Sequence, residues 1–508
     1  MAVGKNYLKE VQKFATSQYW HSGMRITAGI FLPLIFLILT GRIAAAIPFL
    51  WGALFVSLTD TPGPIHHRRN GMIAAILLNT AVVLLTSFTK EYQGFLILQI
   101  IGIGFLLSMG AIFSARAGAI GTLALIVMLL NLLSIHNEYN TVKGSILIAA
   151  GGLWYMVFSL LLYKIRPYRA VEQSLGELLI AIADYVRARG GFYKEGAEPV
   201  RCFDRVMTTQ STVQDIQNQT QAFLFNTRQL LGDASPKSRS LMMIYLDSVD
   251  LFEQAMYAYQ DYALLHKTLD HTGLPNRYYG LILEVSAALE HIGLSVQMGS
   301  AVKKNIDLTR RLDDLERLTL KHVEDAVDPN VILSLEALGK IFNNVYDICN
   351  RINKIVLYTR LAGEMTNTSF EQAQKISQMA ATQPLNFRIF RENLTLKSDI
   401  FRHALRLTIA MIIAYVVSVI FSLSHSYWVL LTIVTILKPA YAISRERNIS
   451  RLGGTLVGVI LVSIILYLTT NNTLLMAVMM VSMLLGFSLL RIQYFGFVVF
   501  LTIFVIIS

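Results

Sequence analysis

The chain predicts an all-α membrane protein in which two blocks of spanning helices, six and at least five, flank a large helical domain. Three observations predict it. Of 508 residues, 54% are hydrophobic and only 15% charged, where soluble domains carry roughly 25%. The acidic residues are segregated, with 28 of the 33 lying within residues 164–400 beside 27 of the 44 lysines and arginines. Outside that stretch, apolar runs of about 20 residues recur, the length that crosses the hydrocarbon of a bilayer.

The N-terminus is basic at Lys5, Lys9 and Lys13 and leads into an apolar run. No small-residue cleavage site follows and further apolar runs come directly behind, so this is a retained first span and not a signal peptide. Six spans fall near residues 24–41, 43–59, 71–88, 94–113, 117–134 and 144–163, making an N-terminal block of 1–165. Cytoplasmic loops carry the excess of Lys and Arg. With the N-terminus inside, 14 of the 17 basic residues that flank or join the spans of both blocks lie on the cytoplasmic side, and only Arg42, Lys90 and Lys143 lie outside.

Six spans return the chain to the cytoplasm, so residues 166–365 are expected as a cytoplasmic bundle of about six helices. Pro236, Pro275 and Pro329 stand where a first helical turn accepts proline. Leu241, Ile244, Tyr245, Val249 and Phe252 keep one helix face apolar, as bundle packing requires. Cys202 and Cys349 offer no disulfide framework, which suits a reducing compartment. Residues 366–400 read as a linker, Gln-rich in its first half. Five more spans follow near 402–422, 426–438, 452–470, 472–489 and 493–508, forming a block of 401–508. The sequence stops inside the last of them, so a twelfth span in a longer protein is expected.

The two blocks share features in the same order. Met24-Arg25-Ile26-Thr27-Ala28 parallels Leu405-Arg406-Leu407-Thr408-Ile409. Trp51 and Trp428 are each followed eleven residues later by proline, Pro62 and Pro439, and then by a basic segment containing Arg69 or Arg447. Glycine follows in both, Gly71 and Gly453-Gly454. An even number of spans per block makes this a parallel repeat, an arrangement common among transporters. Asn393-Leu394-Thr395, Ser398, Phe401-Arg402-His403-Ala404, Arg406, Tyr427-Trp428, Lys438-Pro439, Tyr441, Arg447, Arg451 and Gly453-Gly454-Thr455 with Gly458 resemble the fusaric-acid-resistance-like (FUSC) membrane proteins. The YccS/YhfK-type bacterial inner membrane proteins are the most similar group. The resemblance implies export of aromatic carboxylic acids, and plant malate channels look like distant relatives.

Intramembrane ionisable groups are functional candidates because they are costly in hydrocarbon. None of the expected spans contains Asp or Glu, and Asp60 comes nearest, at the end of the second. The candidate substrate ligands are therefore cations: Arg25, Arg69, Arg402, Arg406, Arg447 and Arg451. Arg402 with Arg406, and Arg447 with Arg451, are four apart and share a helical face. A guanidinium grips a carboxylate through two parallel hydrogen bonds. The same arginines also serve orientation or lipid headgroups, which is the plainer reading. Trp51 and Trp428 suit interfacial anchors, Pro62 and Pro439 suit helix ends or kinks, and a helix broken there also suits a cavity wall. Gly454-x-x-x-Gly458 permits close packing inside the protomer or across a homo-oligomer such as a dimer.

His66 and His67 lie beside arginines, which argues against a metal site, and no motif implies a cofactor. There is no phosphate-binding Gly-rich loop with Lys-Ser/Thr, no His-Glu-x-x-His helix and no Gly-x-Ser-x-Gly elbow, so an ATP-driven pump and the common hydrolases are not indicated. The basic excess sits at the ends of apolar runs, the pattern of topology signals and not of a nucleic-acid surface. The expected partners are membrane lipid and a small organic anion. The leading reading is an inner-membrane exporter of aromatic carboxylates. Its rivals are a passive anion channel and a structural or regulatory membrane protein whose bundle binds a partner.

Overall fold

The computed structural model describes residues 14, 17–61, 65–89, 92–133, 141–166, 168–225, 236–256, 262–302, 308–360, 387–421, 426–437, 441–490 and 493–507. Pro62, Lys438 and Pro439 lie outside them, as do the side chains of Trp428 and Tyr441 and the Gln-rich part of the expected linker. All described elements are helical. Two compact units result, one from Met1–Gln18 with Pro167–Ala381, the other from Tyr19–Arg166 with Thr382–Ser508.

Every apolar run forms a helix. The first stretch gives α1 (Gln18–Leu39), α2 (Ile43–Thr59), α3 (Ile65–Thr89), α4 (Gln93–Met109), α5 (Ala115–Leu133) and α6 (Thr141–Ile165). The middle gives α7 (Arg169–Gly190), α8 (Pro199–Phe225), α9 (Pro236–Met256), α10 (Tyr262–Leu269), α11 (Leu274–Met298), α12 (Thr309–Glu324) and α13 (Pro329–Arg360). The last stretch gives the short α14 (Phe387–Glu392), then α15 (Asp399–Ile420), α16 (Ser426–Ile436), α17 (Tyr441–Leu468), α18 (Asn472–Leu489) and α19 (Tyr494–Ile507). α3 and α17 begin well before the apolar runs expected from 71 and 452. Their basic opening segments are helical because charged side chains do not break a helix, and Arg68 in the first turn of α3 and Arg451 ten residues into α17 each have a partner.

In the middle unit, α7 and α11 touch through glycine. A Cβ on Gly176 would lie 2.5 Å from the Gly293 carbonyl oxygen, and one on Gly293 would lie 2.8 Å from that of Gly176. Ser286 on α11 donates to the Ala183 carbonyl at 2.8 Å, which fixes the register of the pair. Among the described residues, eight helices are long and apolar enough to cross a membrane, and α11 is one of them. Leu281, Val285, Leu289 and Ile292 of α11 are nevertheless consumed by the core of this unit, shared with Leu178 and Ile182 of α7 and Leu338 and Ile341 of α13. α11 is thus a core helix, hydrophobic because protein surrounds it.

The other unit holds the remaining seven candidate spans and the shorter apolar helices. Its two stretches share cores: Ile26 and Tyr155 cluster with Met483 and Phe487, while Ile100 and Leu125 cluster with Leu407, Met411 and Leu430. The contact is reciprocal. Gly23 on α1 approaches Leu484 and Ser488 on α18, and Gly104 on α4 approaches Thr408 and Met411 on α15. The first helix of each stretch thereby meets the fourth helix of the other. Phe36, Leu77, Phe88, Leu98, Ile464 and Leu468 stand exposed on this unit. Such surface belongs in lipid, where helices satisfy every backbone group internally.

Gly454 and Gly458 seat α17 on α19 within the chain. Their Cβ atoms would lie 2.9 Å from Val498 Cβ and 2.7 Å from Thr502 Cβ. Gly458→Ile is expected to overpack this contact and cost about 1–3 kcal/mol, read as a lowered melting temperature in detergent. A second expectation concerns the middle unit, where burial pushes the Cys349 thiol up to about 12. At about pH 8 the buried thiol stays protonated and unreactive, so iodoacetamide is expected to modify Cys349 only after unfolding, as peptide mass spectrometry would show.

Candidate functional site

Asp60 follows the last residue of α2, a place where the unpaired carbonyls of the helix make a carboxylate unfavourable. Cations from other helices reverse that. Arg68, in the first turn of α3, grips both carboxylate oxygens: Nε to Oδ1 at 2.7 Å and Nη2 to Oδ2 at 2.9 Å. Arg25 of α1 reaches Oδ2 at 3.2 Å and the Asp60 carbonyl at 3.5 Å. From α6, Ser159 donates to Oδ2 at 2.6 Å and accepts from Arg68 at 2.9 Å, and the Tyr155 hydroxyl stands 3.4 Å from Oδ2. The Arg68 guanidinium also lies 5.4 Å from the centre of the Tyr163 ring, within cation–π range.

Arg116, near the start of α5, completes the clasp by donating to the Thr61 hydroxyl at 2.9 Å and the Thr61 carbonyl at 3.1 Å. α1, α3, α5 and α6 thus all hold the C-terminal end of α2. The Asp60 side chain is fully buried and that of Arg68 is 4% exposed, whereas Arg25 keeps 19% of its side chain open. Two guanidinium groups face one carboxylate, so the cluster retains a positive charge. Arg25 Nε is buried without a hydrogen-bond partner.

The other expected ligands lie elsewhere on the same unit. Arg69 is exposed and reaches only its neighbour Asn70, at 3.4 Å. Arg402 pairs with Asp399 one turn back on α15, and both are exposed. Arg406 is exposed on the same helix. Arg447 lies over the Tyr494 ring at 4.9 Å, and Arg451 donates to the Thr435 hydroxyl in the last turn of α16. Trp51 stacks on Phe55, with ring centres 5.5 Å apart, in the middle of α2 and not at its start. Among the described residues, no group of His, Cys, Asp and Glu could hold a metal ion.

Arg68, Arg116, Tyr155 and Ser159 are the members of the cluster that sequence reasoning did not single out. Periodicity separates Arg68 from Arg69: Arg68 shares a helix face with Met72, Ala75 and Asn79, all buried, and Arg69 points about 100° away.

A bundle of long apolar helices with an arginine–carboxylate clasp at the end of one of them defines a multi-pass membrane protein. The chain belongs to the family described as "FUSC-like inner membrane protein yccS", which matches residues 72–353. Residues 409–508 match a second description, "fusaric acid resistance protein-like". The chain is 22% identical to the inner membrane protein YccS of Escherichia coli, over 96% of this chain and 68% of that protein. It is 22% identical to an uncharacterized protein of Haemophilus influenzae over 83% of this chain, an alignment spanning only 58% of that protein's length. With the uncharacterized protein YhfK of Escherichia coli it shares 19% identity over 68% of this chain and 46% of the relative.

Asp60→Asn leaves two buried or half-buried guanidinium groups without a counter-charge, and losing one partner of such a pair costs about 3–5 kcal/mol. The expected result is a large drop in thermal stability in detergent. Pairing it with Arg68→Met is expected to recover part of the loss, and a double-mutant cycle measures that coupling.

Proposed function

We propose that the chain is a transporter that moves small organic anions, aromatic carboxylates first among them, out across a bacterial inner membrane. Family membership supports membrane transport as the general task. The observation that carries the choice of an anion is the cationic character of the helix ends of the multi-span unit: Arg25, Arg68 and Arg116 hold the end of α2 around the buried Asp60, and Arg447 and Arg451 stand in the opening segment of α17. A planar guanidinium holds a carboxylate in two parallel bonds, and a cationic vestibule raises the local concentration of anions. On this reading the N-terminus and the middle bundle are cytoplasmic, and energy comes from an ion gradient or the membrane potential.

Passive anion conduction is the second reading. It is favoured by the state of Asp60, which is locked in ion pairs and so poorly placed to carry a coupling proton. Uptake of labelled aromatic and aliphatic carboxylates into inverted membrane vesicles tests both. The exporter reading expects uphill accumulation under an imposed gradient, reduced at least about tenfold in the Arg406→Ala, Arg447→Ala double variant. A channel gives equilibration only. Absence of any anion flux would leave the middle bundle as a partner-binding scaffold.

A further inference from the structure

The two stretches of the multi-span unit can be matched helix by helix at three places, each with its own offset, the path from the end of the second helix to the matched glycine of the third being six residues longer in the second stretch. The first helices align at Arg25 and Arg406: the next two residues, Ile26-Thr27 and Leu407-Thr408, are buried in both, and each of these helices meets the fourth helix of the other stretch. The second helices align at their ends. α2 stops at Thr59 and α16 at Ile436, so Asp60 and Leu437 occupy the same place, and each lies nine residues after a tryptophan, Trp51 or Trp428. The third helices align at glycine. A Cβ on Gly71 of α3 would lie 3.0 Å from Cδ of Arg116, the second residue of α5, the fifth helix of its stretch. A Cβ on Gly453 or Gly454 of α17 would lie 3.1 Å from the ring or 3.0 Å from the carbonyl oxygen of Phe495, the second residue of α19, again the fifth helix. Arg68 and Arg451 each stand three residues before the aligned glycine.

In this register the third-helix arginine does the same thing twice. Arg68 binds the end of α2 through the Asp60 carboxylate, and Arg451 binds the end of α16 through the Thr435 hydroxyl. The difference is the carboxylate. Leu437 stands where Asp60 would, packed half-buried against the apolar cluster of α3, α4, α5, α15 and α16. Among the described side chains, no carboxylate pairs with Arg451 or Arg447; Glu446, the one acidic residue in 401–508, has its side chain outside them. The residue that takes the place of Arg116 is likewise uncharged and aromatic, Phe495, which is 38% exposed.

We infer that the second stretch is an anion site built on the plan of the Asp60 clasp, in which an external carboxylate takes the place that Asp60 fills in the first. Arg451 supplies the charge at the end of α16, where the Thr435 hydroxyl accepts from it and gives its own hydrogen to the Leu431 and Thr432 carbonyls. Phe495, against Gly453, and Tyr494, under the Arg447 guanidinium, bring two aromatic rings to the same segment of α17, so the ligand class is a small planar aromatic carboxylate. The identity of the ligand rests on the organic-anion reading above, whereas the presence of a carboxylate site does not. No such site exists at the end of α2, because the chain's own carboxylate already occupies it.

Putting the missing carboxylate back tests this. In the purified full chain, Leu437→Asp is expected to lower benzoate affinity at least about tenfold, measured by calorimetric titration, and Arg451→Gln to do the same. Leu437→Asn, equally polar but uncharged, is expected to stay within about threefold of the unsubstituted chain. Thermal melting without ligand gives a readout independent of transport: Leu437→Asp should melt higher than Leu437→Asn when Arg451 is present, and the advantage should vanish in the Arg451→Gln background. If that coupling is absent, or if Leu437→Asp binds benzoate like the unsubstituted chain, the site is overturned, whatever the vesicles show. If the coupling is present and benzoate does not bind the unsubstituted chain, the carboxylate site stands and the aromatic-acid reading falls.

Discussion

A single buried carboxylate organises four of the first six helices. Asp60 terminates α2, and its charge is satisfied only if α1, α3 and α6 bring Arg25, Arg68, Tyr155 and Ser159 to it. Coulombic attraction at such distances is strong because little water screens it, and the desolvation cost of each ion is correspondingly high. The arrangement is therefore close to all-or-nothing: a partly assembled cluster leaves a charge stranded, so the cluster selects one register of four helices. Apolar side chains facing lipid cannot provide that selection, because hydrocarbon solvates one leucine face much like another.

Glycine provides the complementary constraint. Gly52 and Gly151 let α2 and α6 approach until a Cβ on either would lie 1.9 Å from a carbonyl oxygen of the other helix, and Gly121 does the same for α5 on α4. Close approach multiplies weak dispersion contacts, the main attraction available between helices in a membrane. The charge cluster sets which ends meet, and the glycines set how closely the helices run from there. Gly23 and Gly104 extend the principle to the interfaces between the two stretches, which makes the multi-span unit one packed body although its helices come from both ends of the chain.

Much of this was legible in the sequence. Hydrophobic run length marked the long apolar helices of the multi-span unit, whereas the six-residue α14 falls in the stretch that read as a linker. The starts of α3 and α17 were not legible, because a hydropathy criterion stops at His66–Asn70 and at Arg445–Arg451, whereas the backbone remains helical through side chains that have partners. The site was half legible. Arg25, Arg447 and Arg451 stand out as arginines at the ends of apolar runs, and each makes a specific contact. Arg68 was hidden beside Arg69, since both are equally basic and only the helix phase sends one inward. Ser159 and Tyr155 carry no sequence signal, because an intramembrane hydroxyl resembles any other until a carboxylate is found opposite it. α11 shows the opposite error that composition invites: it is apolar enough to span a membrane, yet its apolar surface is spent on α7 and α13.

The inequality of the two stretches matters more to function than their likeness. A guanidinium facing its own carboxylate is a structural part, since an incoming anion must first displace a partner held at 2.7 Å with bidentate geometry. A guanidinium held by a threonine hydroxyl gives up far less when an anion arrives, because the hydroxyl is a neutral acceptor whose own hydrogen is already given to the Leu431 and Thr432 carbonyls. One fold repeated with and without its carboxylate thus yields a rigid half and a receptive half. Differential binding energy is what biases a conformational equilibrium, and on the proposed function that energy enters at the end of α16, where the interfaces of α15 with α4 and of α18 with α1 can carry it into the fixed half.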